Sequence, residues 1–151
     1  MRGRQVLMET LLNHGVDRIF GNPGTTESPL LDSLPDYPSI EYIVHLHEGV
    51  AVGAASFYGQ ASGKTAFVNL HVAPGLGNAV GMIYGALKNN TPMVVTAGQQ
   101  DTRMRLRDPV LGHDLAAIAA RSWPSTGSRS RMRVSCWPAV TTMGELFLSA
   151  P

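Results

Sequence analysis

The sequence predicts a three-layer, doubly wound α/β domain with a mostly parallel sheet and helices on both faces. Three observations carry this expectation. Short β-branched or aromatic runs alternate with segments of helical period, and Gly-, Asn- or Pro-rich breaks separate most of them. Residues 93–97, Met-Val-Val-Thr-Ala, are nearly all apolar, as a strand must be when both its faces are covered.

The elements follow in order. Val6, Leu7, Leu11 and Leu12 predict a helix over 4–14, stopped at His14-Gly15. Residues 16–20 form a short strand, broken by Gly21-Asn22-Pro23-Gly24, and Thr25 or Thr26 is placed to cap a helix through about residue 34. A second strand is expected over 40–46, a helix over 48–61, a turn at Ser62-Gly63-Lys64 and a third strand over 65–70. Residues 71–78 read as a loop, followed by a helix through Lys88 that Asn89-Asn90-Thr91-Pro92 ends. Beyond the fourth strand, 93–97, one more helix is expected over 114–120. Residues 121–133, rich in Ser and Arg, show no period and receive no assigned structure. The expected division is a domain over 1–120 and an irregular, atypical segment over 121–151.

A chain of 151 residues, 44% hydrophobic and 15% charged, can bury one sizeable core. Its net charge of +1 calls for neither nucleic acid nor an anionic membrane as main partner. The charge is uneven: residues 1–120 hold eight basic and ten acidic side chains, and residues 121–151 hold four Arg and only Glu145. Cys136 is the single cysteine, which excludes an internal disulfide and a thiolate zinc cluster and suits a reducing, cytoplasmic location. No address signal and no membrane-length apolar run is read in the sequence.

In a parallel sheet all strand C-termini share one edge, where open α/β folds bind ligands. Residues 21–25, 45–48 and 71–78 should meet there. Glu48 closes an apolar run and opens a Gly- and Ala-rich helix, so its carboxylate is aimed at that edge and is placed for proton work. The plainer reading of an acid at a helix start is the macrodipole. His71 is a second candidate, or an ordinary loop histidine, and Thr25 either a contact or a cap. Gly75-x-Gly77 alone is a weak phosphate-loop signal. His45-x-His47 offers a rival reading, because strand alternation would put both rings on one face as metal ligands, yet no further ligands can be named. His14 reads as a dipole effect, Arg103, Arg105 and Arg107 as a solvated loop or subunit contact, Cys136 as an ordinary thiol and the Met residues as core filler.

Four motifs occur together: Gly21-Asn22-Pro23-Gly24-Thr25-Thr26-Glu27, residues 46–55 beginning Leu-His-Glu-Gly, residues 69–79 beginning Asn-Leu-His-Val-Ala-Pro-Gly, and Val94-Val95-Thr96-Ala97-Gly98-Gln99-Gln100. In this order they resemble the N-terminal pyrimidine-binding domain of thiamin-diphosphate-dependent 2-oxo acid decarboxylases, most nearly the benzoylformate decarboxylase branch, over roughly residues 5–120. The resemblance implies that Glu48 hydrogen-bonds the aminopyrimidine ring nitrogen and favours the imino tautomer that deprotonates the thiazolium carbon. It implies His71 as a proton carrier beside a small 2-oxo acid and Thr25 as a contact for the substrate carboxylate. Pro23, Gly24 and Asn78 would belong to the cofactor wall. The His pair of pyruvate decarboxylases has no match, since Asp114 follows His113.

Two departures stand out. Ser56-Phe57 replaces the usual Asp-Gly, which could disturb helix packing. No Gly-Asp-Gly occurs, the motif with which the family holds the diphosphate and Mg2+ on a separate C-terminal domain. The resemblance therefore implies at most half of an active site, a partial thiamin diphosphate site without the metal, and an oligomer or a diphosphate-binding partner domain or subunit. Gly144 to Pro151 look like the end of the domain's last strand, and 121–143 do not look like the connection, so a truncated or frame-disrupted relic without turnover of its own is expected. A subunit of a two-component decarboxylase and a non-catalytic oligomerisation module are the alternatives.

Overall fold

The computed structural model describes residues 2–100, 107, 113–121 and 133–138. Five strands, β1 (Arg18–Gly21), β2 (Glu41–Val44), β3 (Ala66–Leu70), β4 (Met93–Gln99) and β5 (Arg133–Pro138), form one sheet in the order β2-β1-β3-β4-β5. All four pairings are parallel. The α/β class is therefore as the sequence predicts, and the strand order reverses between β1 and β3. At such a switch point neighbouring crossovers leave to opposite faces and open a crevice at the strand C-termini.

Helices α1 (Gly3–Asn13) and α2 (Ser28–Leu31) cover one face, with Met8, Leu11 and Leu30 packed on Ile19 and Phe67. Helices α3 (Glu48–Ser62), α4 (Val72–Lys88) and α5 (Leu115–Arg121) cover the other, where Val52, Leu76, Ile83 and Leu115 meet Phe20, Val68 and Val95. Every residue of β3 is buried. Ala66, Val68 and Leu70 point to the second core and Phe67 to the first, which is why this strand shows no polar alternation. Among the described residues, no helix is long and apolar enough to cross a membrane.

Four expectations change. The segment read as a loop over 71–78 is helical from Val72 onward. Pro74 is tolerated because first-turn N–H groups have no intrahelical partner, whereas Gly75 and Gly77 lower local propensity and made the start illegible. Neither threonine caps a helix: Gly24 occupies the N-cap, residues Thr25–Glu27 form a 3-10 turn, and α2 ends at Leu31. Strand β5 lies within 121–151, the segment expected to be irregular and atypical; Gly144 to Pro151 and most of Arg103 to Arg107 fall outside the described residues. Finally, Ser56-Phe57 leaves α3 unbroken, with the Ser56 hydroxyl 3.1 Å from that of Thr91 and Phe57 in solvent.

At the opposite, N-terminal edge of the sheet, Asp17 accepts hydrogen bonds from Lys64 Nζ (2.6 Å) and from the Tyr58 hydroxyl (2.5 Å). The Lys64 bond foremost, then that from Tyr58, holds the Asp17 carboxyl below its ordinary value. A depressed folded value contributes stability above the unfolded carboxylate range that disappears as the pH falls through the folded value. Since 35% of the Asp17 side chain meets solvent, the contribution is at most about 1 kcal/mol. Asp17→Asn is expected to lower the melting temperature by a few degrees at pH 7, the two curves converging in acid. Parallel curves at all pH values would count against the assignment.

Candidate functional site at the C-terminal edge of the sheet

The turns after β1, β2 and β3 converge at one edge, and each brings a polar group. Glu48 opens α3 and is only 6% exposed. Its Oε1 accepts from Asn22 Nδ2 at 3.3 Å and its Oε2 from Asn78 Nδ2 at 3.0 Å. A Cβ on Gly75 would stand 3.2 Å from Glu48 Oε1, so a side chain at position 75 would press on the carboxylate. Gly75 N–H in turn donates to the carbonyl of His71 at 2.9 Å. Glu48 and His71 thus border the same first turn of α4, whose N-terminal dipole favours a carboxylate.

A second carboxylate occupies the edge. Glu27, with 2% of its side chain exposed, was not singled out in the sequence. One oxygen accepts from Gly24 N–H at 2.8 Å and lies 2.8 Å from His71 Nδ1, and the other accepts from the Thr26 hydroxyl. Thr26 Oγ1 also lies 3.3 Å from His71 Nδ1. Two glycines make the space: a Cβ on Gly24 would come within 3.0 Å of the His71 ring, and one on Gly98 would come within 3.0 Å of Glu27 Oε1 and Thr26 Oγ1. The site therefore holds two carboxylates rather than one.

Below this cluster the sheet carries a buried polar ladder. The Tyr42 hydroxyl donates to Asn69 Oδ1 (3.2 Å), Asn69 Nδ2 to Thr96 Oγ1 (3.1 Å), and Thr96 Oγ1 to the carbonyl of Val68 (3.0 Å). Burial, and secondarily the charge of Glu27, push the Tyr42 phenol above its ordinary value. A phenol held neutral beside an anion keeps its proton for Asn69.

The expected residues distribute as follows. Glu48 and Asn78 are in direct contact, and Asn22 joins them. Gly24 lies against the His71 ring, and Pro23 is half-buried beside it in the chain. Thr25 is exposed; the hydroxyl beside His71 belongs to Thr26. His45 and His47 do not share a strand face, because β2 ends at Val44. His45 Nδ1 lies 3.0 Å from the carbonyl of Ile43, and His47 Nδ1 accepts from Gly49 N–H at 3.0 Å as the cap of α3. Among the described residues, no three His, Cys, Asp or Glu side chains gather as metal ligands do. Val72, β-branched, fully buried and at φ +44°, turns the chain sharply from β3 into α4 directly after His71. That conformation costs of order 1–3 kcal/mol and persists only where its surroundings enforce it.

Comparison with known proteins agrees with this geometry. The chain is 48% identical over 92 residues to the benzoylformate decarboxylase of Pseudomonas aeruginosa, covering 61% of this chain and 17% of that protein. It is 37% identical over 97 residues to the acetolactate synthase large subunit of Lactococcus lactis, covering 64% of this chain and 17% of that protein. Among solved structures, the thiamine diphosphate-dependent 4-hydroxybenzoylformate decarboxylase of Rhodococcus jostii RHA1 superposes with a TM-score of 0.71 at 36% identity, over 77% of this chain and 22% of that one. The chain thus spans about a fifth of the length of the relatives it matches. Residues 1–120 match the family described as thiamine pyrophosphate enzyme, N-terminal TPP binding domain, and the chain belongs to that family.

Proposed function

We propose that this chain is the pyrimidine-binding half of a thiamin-diphosphate-dependent decarboxylase for a benzoylformate-like 2-oxo acid, working only when joined to a diphosphate-binding domain or subunit. The observation that carries the reading is the setting of Glu48: a nearly buried carboxylate at the strand C-termini, held by two amides and, among the described residues, by no cation. An ionised carboxylate has about four lone-pair positions. Asn22 and Asn78 occupy two, so Glu48 retains capacity for the ring N–H that the imino tautomer of an aminopyrimidine carries, and Gly75 contributes no side chain against it.

When bound, thiamin diphosphate supplies a carbon nucleophile and an electron sink for loss of the substrate carboxylate. This chain's own residues hold and move protons. Glu48 would accept the ring N–H of the pyrimidine's imino tautomer, Asn22 and Asn78 orient its oxygens, and His71 would exchange a proton with the 2-oxo acid. Thr25, exposed at the rim, is offered to the substrate carboxylate, and Pro23 and Gly24 wall the cofactor. The diphosphate and its Mg2+ are gripped by other polypeptide. Leu46 (98% exposed), Phe57 (77%) and Val50 (58%) on the α3 side give an apolar surface that such a domain, or a second subunit, would cover.

Thiamin itself is the probe. Titrated into the isotopically labelled full chain, it is expected to shift the amide signals of Asn22, Gly75 and Asn78, and Glu48→Ala should abolish those shifts. Shifts scattered over the surface, or equal in the variant, would refute the reading.

A further inference from the structure

We propose that Glu27 is the positioning residue of this site: it sets the tautomer of His71 and leaves Nε2 as the nitrogen offered to a ligand. The inference rests on the site reading above in placing the substrate near His71. The bonding of Glu27 is otherwise independent of that reading.

The carboxylate of Glu27 meets three groups: Gly24 N–H, the Thr26 hydroxyl and His71 Nδ1. A backbone N–H can only donate, and an ionised carboxylate can only accept. The 2.8 Å contact therefore requires the proton on Nδ1. In the neutral ring Nε2 is then an acceptor, which is the state a proton-transferring imidazole needs, and among the described residues no group bonds it. The ring is part-exposed, at 27% of the side chain, while its partner is buried at 2%. One nitrogen is anchored in the protein and the other has no hydrogen-bond partner among the described residues. A buried acid that holds an imidazole by Nδ1–H fixes both orientation and tautomer without itself transferring a proton. The surroundings are shaped for this pair: Gly24 lets the backbone lie against the ring, and Gly98 makes room for the carboxylate. The buried turn at Val72 commits the chain direction immediately after the ring.

The test is a long-range proton–nitrogen spectrum of the histidine rings in the full chain, with His71 assigned by His71→Asn. At a pH where the ring is neutral, His71 is expected to carry its proton on Nδ1, opposite to the preference of the free histidine side chain. Glu27→Leu should move the equilibrium at least tenfold toward the Nε2–H form. Glu27→Gln, whose carbonyl can accept from both Gly24 N–H and Nδ1–H, should retain the native tautomer. A wild-type His71 protonated on Nε2, or a Glu27→Leu ring unchanged from wild type, overturns the proposal. If Glu27→Leu does not fold, the wild-type and Glu27→Gln spectra decide alone. The readout needs neither cofactor nor turnover. A chain that ignores thiamin yet carries the Nδ1–H form refutes the site reading only, and one that responds to thiamin with an Nε2–H ring refutes this inference only.

Discussion

Glu48→Gln is expected to lower the decarboxylation rate of the chain joined to a diphosphate-binding domain by about 10²–10⁴-fold, the range in which positioned acid–base groups operate. That loss corresponds to roughly 3–5 kcal/mol of transition-state stabilisation. The substitution keeps the shape of the side chain and removes one acceptor. One of the two amides that now donate to Glu48, Asn22 or Asn78, would have to turn its carbonyl toward the new NH2 group. Asn78 is solvent-exposed and can do so, which limits the cost in stability to about 1 kcal/mol. The expected pattern is a large loss of rate with a nearly unchanged melting temperature, measured on the same preparation. Unchanged activity would instead favour a non-catalytic oligomerisation module.

Gly98→Ala is expected to be a strongly destabilising single-methyl change at the site. The new Cβ would fall within 3.0 Å of Glu27 Oε1, Thr26 Oγ1 and Thr26 Cβ, inside a buried stretch of β4. Neither relief is cheap. Shifting the strand overpacks the core at about 1–3 kcal/mol. Moving the carboxylate breaks its bonds to Gly24 and His71, and a buried charge deprived of its partners costs about 3–5 kcal/mol. A loss of about 3 kcal/mol, or roughly 10 °C in melting temperature, follows. Gly81 is the internal control: it is exposed in α4 with nothing within 4 Å of its would-be Cβ. Gly81→Ala should be neutral or stabilise by up to about 1 kcal/mol, from helix propensity alone. Similar losses at both positions would show that the packing around Glu27 is not as described.

The legible parts of the site were those whose signal is local. Glu48 stood out because an acid between an apolar run and a Gly/Ala-rich helix can be placed on the sheet edge without knowing its neighbours. Glu27 was illegible because an acid in the first turn of a helix has an ordinary explanation, and its partner His71 lies 44 residues away in the chain. The available hint was indirect: Gly24 and Gly98 each sit at the end of a strand or turn where a side chain would be expected. The helical start at Val72 was hidden for a related reason, since Gly75 is unfavourable for a helix yet required by the approach of Glu48.

From the sequence alone came the alternation of strands and helices, the mostly parallel character of the sheet and the edge at which Glu48 lies. These depend on periodicity, turn chemistry and strand burial, which are properties of short windows of chain. The tertiary structure alone decided the strand order, the fifth strand, the Asn22–Glu48–Asn78 bonding and the Glu27–His71 pair. Each of these is a meeting of residues remote in sequence, selected by which polar groups find partners once water is excluded, and no local pattern encodes that.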